Sequence, residues 1–203
     1  MYMELRRFRG LGTRGRLDAE NIDLLWLPRS AVVIALSSLD AYIHAVLLER
    51  IPIAMNQSNI SESLAREFAD LIAIKNASDF QRELQLFKLP HLLNEMSNRL
   101  YYKKLQYRSY QSPDNIISAY RLLGIDDIFQ GVAEIWQGPN MTNDNIKRRL
   151  ANYVNRRNQI AHEGDRETSG NVRAIQPIYA DDCAAFVRNL VSRLDQLIYD
   201  SAR

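Results

Sequence analysis

An all-α fold, a bundle of six to eight helices around a long first core helix, is what this sequence predicts, on three observations. Apolar residues recur at helical spacing along most of the chain, capping and stop signals separate the repeats, and no stretch alternates apolar and polar residues as a half-buried strand does. The composition suits this fold: 203 residues, 46% hydrophobic and 25% charged, suffice for one domain with a real core. The expected organisation is a flexible basic arm over residues 1–16, with Gly10, Gly12 and Gly15, and a single helical domain over 17–203.

The elements follow in order. Asp18 can cap a first helix, and Pro28 breaks or kinks the chain before the next. From Pro28 to Arg50, the positions Val32, Ala35, Leu36, Leu39, Tyr42, Ile43, Val46 and Leu47 give a long helix with a wide apolar face, ended by Pro52. Asn59-Ile-Ser-Glu62 reads as a capping box ahead of Leu64, Phe68, Leu71, Ile72 and Ile74. One helix runs from near Ser78 to Pro90, and another through Leu92, Leu93, Met96 and Leu100 to about Tyr107. Ser112 as cap and Pro113 at the first helical position start the next, which stops at Gly124. A short helix over Asp126 to Gln137 is closed by Gly138-Pro139. Thr142 caps a helix carrying Ile146, Leu150, Tyr153, Val154 and Ala161, ended by Gly164. Residues 165–178 read as a loop, and Asp181 or Asp182 opens the last helix, with Cys183, Val187, Leu190, Val191, Leu194, Leu197 and Ile198 at core spacing.

Several function classes fall away. Cys183 is the only cysteine, so no intrachain disulfide forms, and the three histidines lack zinc-ligand spacing; neither metal nor cofactor is expected. The longest apolar stretch, Ala31 to Leu48, contains Ser37, Ser38, Asp40 and His44, which are costly at a bilayer centre, so a core helix and no membrane partner is the reading. The basic N-terminus has no apolar segment behind it, and a cytoplasmic location is expected. Net charge is only +2, but residues 1–16 carry five arginines against one glutamate, and 144–163 carry five basic residues against two acidic ones. Such patches on an otherwise acidic chain are compatible with a phosphate-bearing partner, though charge alone reads first as solvated helix faces and a flexible tail. His44 reads as a packed helix histidine, and Tyr101, Tyr102, Tyr107 and Tyr110 as packing residues with a basic rim.

The chemistry concentrates in Arg156-Arg157-Asn158-Gln159-Ile160-Ala161-His162-Glu163-Gly164-Asp165. Histidine can take up and give back protons near neutral pH, and the planar arginine fork matches phosphate oxygens. Asn158 precedes His162 by four residues and shares its face. Arg157 and His162 are about 140° apart around a straight helix and about 7.5 Å along it. A common phosphate is therefore more easily clasped if a second copy contributes, or if the last turn loosens near Gly164.

Arg157, Asn158 and His162 match the signature of the HEPN superfamily, an arginine followed by a polar residue and, after four to six intervening positions, a histidine. Ala35-Leu-Ser-Ser-Leu-Asp-Ala-Tyr-Ile-His44 resembles the long first helix of its RiboL-PSP branch, and Leu122-Leu-Gly-Ile125 stands in the same order as there; the likeness covers roughly residues 25–200. The resemblance implies a HEPN-like bundle and a metal-independent endoribonuclease that works as a homodimer. Two Arg157/His162 motifs would then face each other in one composite site, with Asn158 beside them. It further implies a toxin or antiviral-defence effector with RNA as substrate and an antitoxin or sensor protein as a possible partner. Arg157 starts on the apolar side of its helix and needs a partner. Asp40, where this branch commonly has a carboxylate, is the expected supporting residue, and Arg156, Lys147, Arg148 and Arg149 are the expected RNA contacts. The alternative from another class is a non-catalytic HEPN dimerisation or RNA-binding module that partners another defence or toxin–antitoxin subunit.

Overall fold

A computed structural model of the chain describes residues 24–57, 60–71, 78, 79, 81, 91–136, 138, 139 and 141–199. The basic arm, the helix expected from Asp18 and most of that expected between Ser78 and Pro90 lie outside the described residues. Among these, seven α-helices occur in order: α1 Trp26–Met55, α2 Glu62–Leu71, α3 Leu92–Lys103, α4 Pro113–Leu122, α5 Ile128–Ile135, α6 Asn143–His162 and α7 Pro177–Tyr199, with a 3-10 turn at Leu105–Tyr107. No strand is present among the described residues beyond an isolated bridge between Arg166 and Val172. The fold class is all-α, as the sequence predicts.

Contacts divide the chain into two compact units, and the boundary falls inside α1, between Leu39 and Asp40. The first unit takes the N-terminal part of α1 with α5, α6 and α7. Its core joins Val32, Leu36 and Leu39 to Phe129, Val132, Ile146, Leu150, Phe186 and Leu190, all buried. Phe186 is the hub of an aromatic cluster: it stacks on Trp136 at 5.5 Å and meets Tyr153 at 5.4 Å, while the Arg149 guanidinium lies over it at 5.0 Å. Gly131 lets α5 approach α7, since a Cβ there would stand 3.1 Å from Leu197 Cδ1.

The second unit, Asp40–Ile128, packs Ile43, Val46, Leu47 and Ile51 with Leu64, Leu100, Leu105, Ile116 and Tyr120. Asp40 accepts the backbone N–H of Tyr110. The His44 ring is packed between tyrosines: its Nε2 donates to the Arg108 carbonyl at 3.1 Å, which leaves Nδ1 to accept from the Tyr101 hydroxyl at 3.1 Å. Glu67 bridges Lys104 at 3.3 Å and Arg108 at 2.8 Å. Burial pushes its carboxyl upward, but the hydrogen bonds and charges of Arg108 and Lys104 outweigh that and hold it below its ordinary value.

Local signals account for most boundaries. Ser112 Oγ accepts from Asn115 N and Thr142 Oγ1 from Asn145 N, each at 3.3 Å, so both expected caps close their helices. After α4, Gly124 takes φ +83° while its N–H bonds the Arg121 carbonyl and that of Ile125 bonds the Tyr120 carbonyl, the two reversed bonds of a Schellman stop. Three expectations are corrected. Pro52 does not end α1, which continues to Met55: in the last turn only the bond to the Leu48 carbonyl is lost, and Ile51 and Ala54 stay buried. Ser61 caps α2, while Asn59 lies outside the described residues: the Ser61 Oγ accepts from Leu64 N at 3.2 Å and donates to the Leu122 carbonyl at 3.1 Å. The last helix opens at Pro177, whose missing N–H costs nothing in a first turn, so Asp181 and Asp182 lie within it.

By length and composition α1 is apolar enough to cross a membrane. Val32, Leu36, Leu39, Ile43, Val46, Leu47 and Ile51 are buried in the cores of the units, Trp26, Ile34, Leu48 and Ile53 are exposed, and Asp40 and His44 are hydrogen-bonded within the chain.

Candidate functional site

The motif lies entirely in the first unit, at the C-terminal end of α6. Around that helix Asp144, Arg148, Ala151, Asn155, Asn158 and His162 recur at three- and four-residue spacing and are all exposed, so they form one solvent-facing stripe. Ile146, Leu150 and Tyr153 occupy the opposite, buried side.

Arg157 joins the motif together. Its Nη1 donates to Asn158 Oδ1 at 3.1 Å and lies 3.3 Å from His162 Nε2. Arginine has no acceptor, so this contact is a hydrogen bond only through the Nε2 lone pair, with the proton of the neutral ring on Nδ1. Arg157 Nε is buried with no hydrogen-bond partner. One guanidinium thus links both other motif residues and keeps donor capacity in reserve. The angular separation expected to keep Arg157 and His162 apart in one chain does not do so: the long arginine stem swings along the helix surface to the last residue of α6.

The other candidates are placed differently. Asp40, in the second unit, accepts from Tyr110 N, while Arg157, in the first, bonds Asn158 and His162. Arg156, expected on the RNA surface, is turned inward; it forms a two-pronged ion pair with Asp165, Nη1 to Oδ1 and Nη2 to Oδ2 at 3.0 Å, and also reaches Gln159 and the Ala174 carbonyl. Arg149 is likewise committed, to the Tyr153 hydroxyl at 3.3 Å and the Phe186 face. Lys147 is half-buried and engaged within the chain. Arg148 remains exposed, bonded to Asn145 at 2.6 Å. The reason is common to Arg149 and Arg156: aromatic faces and a buried carboxylate sit on the inner side of α6 and offset the desolvation of a half-buried guanidinium.

Asp165 escaped the sequence reading. It is 3% exposed and pairs with Arg29 of α1 as well as Arg156. Gly164 at φ +61° and Asp165 at φ +55° turn the chain back, and both Glu163 N and Asp165 N bond the Gln159 carbonyl, at 3.2 and 3.0 Å. The available signal was an acidic residue just past the helix-stopping glycine, downstream of two adjacent arginines. Among the described residues no group of three His, Cys, Asp or Glu side chains is placed to hold a metal ion.

The family model described as RiboL-PSP-HEPN matches residues 11–200, nearly the whole chain, and the chain belongs to that family. No curated protein and no solved structure matches it.

Proposed function

We propose that this RiboL-PSP-HEPN chain is a metal-independent endoribonuclease whose site is Arg157, Asn158 and His162. HEPN domains are often RNases and commonly dimerise and bind RNA. The observation that carries the reading is the Arg157 guanidinium bonded at once to His162 Nε2 and Asn158 on an exposed helix end.

The chemistry follows from those atoms. An RNA phosphate draws the Arg157 fork onto its oxygens, and the Nε2 lone pair that accepted from Nη1 is released. That lone pair takes the 2′-OH proton as the 2′-oxygen attacks phosphorus. The P–O5′ bond breaks, and the departing oxygen takes a proton from an acid, leaving a 2′,3′-cyclic phosphate and a 5′-hydroxyl. One imidazole cannot be base and acid in the same step. A homodimer with two copies of His162 in one composite site supplies both, and two copies of Arg157 neutralise the phosphorane. The exposed stripe of α6, with Ala151 at its middle, suits such a facing arrangement. A toxin or antiviral-defence effector of the cytoplasm, restrained by an antitoxin or sensor, is the role that goes with this activity.

The inward commitment of Arg149 and Arg156 favours a second reading, a non-catalytic dimerisation or RNA-binding module that acts with another subunit, because it thins the basic surface. One experiment separates the two: cleavage of a mixed RNA pool in excess EDTA by the unaltered chain, His162→Ala and Arg157→Ala, each confirmed folded. EDTA-resistant cleavage with cyclic-phosphate ends, lost in both variants, is expected. Salt-dependent RNA binding without cleavage by the unaltered chain would favour the module.

A further inference from the structure

We propose that Asp165 is a positioning residue for this site, acting through Arg156 and Arg29 to fix Arg157 against His162. The argument is one of chain closure. Arg156 and Asp165 are nine residues apart and joined by a two-pronged ion pair. Arg157, Asn158 and His162 all lie between those tied ends. The helix carries Arg157 and Asn158, His162 is its last residue, and the chain reverses at once through Gly164 so that the Asp165 carboxylate returns to the turn that holds Arg156.

The closure is anchored at its far side. Arg29 Nε donates to Asp165 Oδ2, its Nη1 to the Leu25 carbonyl at 2.7 Å, and its Nη2 to the Arg173 carbonyl at 2.8 Å. Arg173 in turn donates its backbone N–H to the Asp165 carbonyl at 2.8 Å, and its side chain reaches Glu163 at 2.7 Å. Asp165 therefore has its N–H, its carbonyl and both carboxylate oxygens occupied, while 3% of it is exposed. A left-handed backbone at a non-glycine residue persists only where its surroundings hold it, and this set of bonds does so. Asp165 touches neither Arg157 nor His162 through a hydrogen bond; its influence passes through the ends of the ring that contains them.

The activity arm of the test rests on the nuclease reading, so a second readout is independent of it. Asp165→Asn, Arg29→Gln and Arg29→Lys are compared with the unaltered chain by cleavage kinetics in EDTA and by the ring-nitrogen NMR signals of His162, assigned with Arg157→Ala as reference. In Asp165→Asn, kcat is expected to fall on the order of 10- to 100-fold, the scale of a misplaced catalytic group, with KM within about twofold. The His162 signals should move toward those of Arg157→Ala, and Arg29→Lys should recover part of what Arg29→Gln loses. A folded Asp165→Asn with unchanged kcat and unchanged His162 signals overturns the proposal, as does a rise in KM at constant kcat. If Asp165→Asn does not fold, Arg29→Gln is judged by the same two readouts. If the unaltered chain cleaves no RNA, the nuclease reading fails, and the His162 signals alone decide whether Asp165 positions that ring.

Discussion

The bond between Arg157 Nη1 and His162 Nε2 predicts that the two residues act as a unit, and a double-mutant cycle measures this. Arg157→Lys keeps the charge but removes the fork that holds Asn158 and His162 together; losing one such donor costs roughly 10²- to 10³-fold in kcat. His162→Asn removes the proposed base, worth roughly 10²- to 10⁴-fold. Were the two independent, the double variant would lose the product, on the order of 10⁵-fold for mid-range values. Because the arginine donor lies 3.3 Å from Nε2, the atom proposed to take the proton, displacing either residue should disable the other. The double variant should therefore sit near the worse single variant, at about 10³-fold. The shortfall of about 10²-fold corresponds to a coupling of about 2.7 kcal/mol. The assay is single-turnover cleavage of end-labelled RNA in EDTA, with protein in excess. Strictly multiplicative losses would refute the reasoning, because they would mean that the contact has no part in the reaction.

Three further outcomes are expected. Glu67→Gln should destabilise the chain by roughly 1 kcal/mol or more, between an exposed and a buried pair. Because the Glu67 carboxyl is held below its ordinary value of 4.5, the advantage of the unaltered chain is full above that pH and fades as pH falls through the lowered value; denaturant melts at several pH values check this, and a pH-independent difference would count against it. Burial raises the Cys183 thiol to about 12, so at pH 8 a thiol reagent should label the chain only after unfolding, and rapid stoichiometric labelling of native protein would contradict the packing. Gly124→Ala meets nothing within 4 Å, so its cost is conformational alone, about 1 kcal/mol and about 2–4 °C in Tm; an unchanged melt would show that the left-handed stop is not needed.

What the sequence made legible were features decided within a few residues of chain. Ser112-Pro113, Thr142, Gly124 and Gly164 act on backbone groups one turn away, and the helices start or stop where they stand. The spacing of Arg157, Asn158 and His162 on the helix was legible too, but the side-chain contact that joins them was not, because a straight-helix projection sets Arg157 and His162 apart. The family assignment was equally available from the residues around them. What stayed hidden depends on partners far along the chain. Arg29 and Asp165 are 136 positions apart, and nothing local to either announces the pair. The same holds for Arg149 and Arg156: on a helical projection they read as a basic surface, and only the placement of Phe186 and Asp165 turns them inward. Pro52 and Ser61 show a milder form, in which a local rule is outweighed by burial of neighbouring apolar residues or by a second bond to another helix.

The placement of the chain's two tryptophans makes it a built-in optical reporter of one unit. Trp26 is 59% exposed, whereas Trp136 is 8% exposed, stacked on Phe186 with the Arg193 guanidinium 4.4 Å from its ring centre. Residues 40–128 contain no tryptophan. Emission excited at the red edge of the absorption band therefore follows only the unit that carries the motif, and iodide silences the Trp26 share while leaving the Trp136 share. Laid beside far-ultraviolet circular dichroism, which sees every helix, the fluorescence melt distinguishes a chain that unfolds in a single step from one whose motif-bearing half lets go on its own.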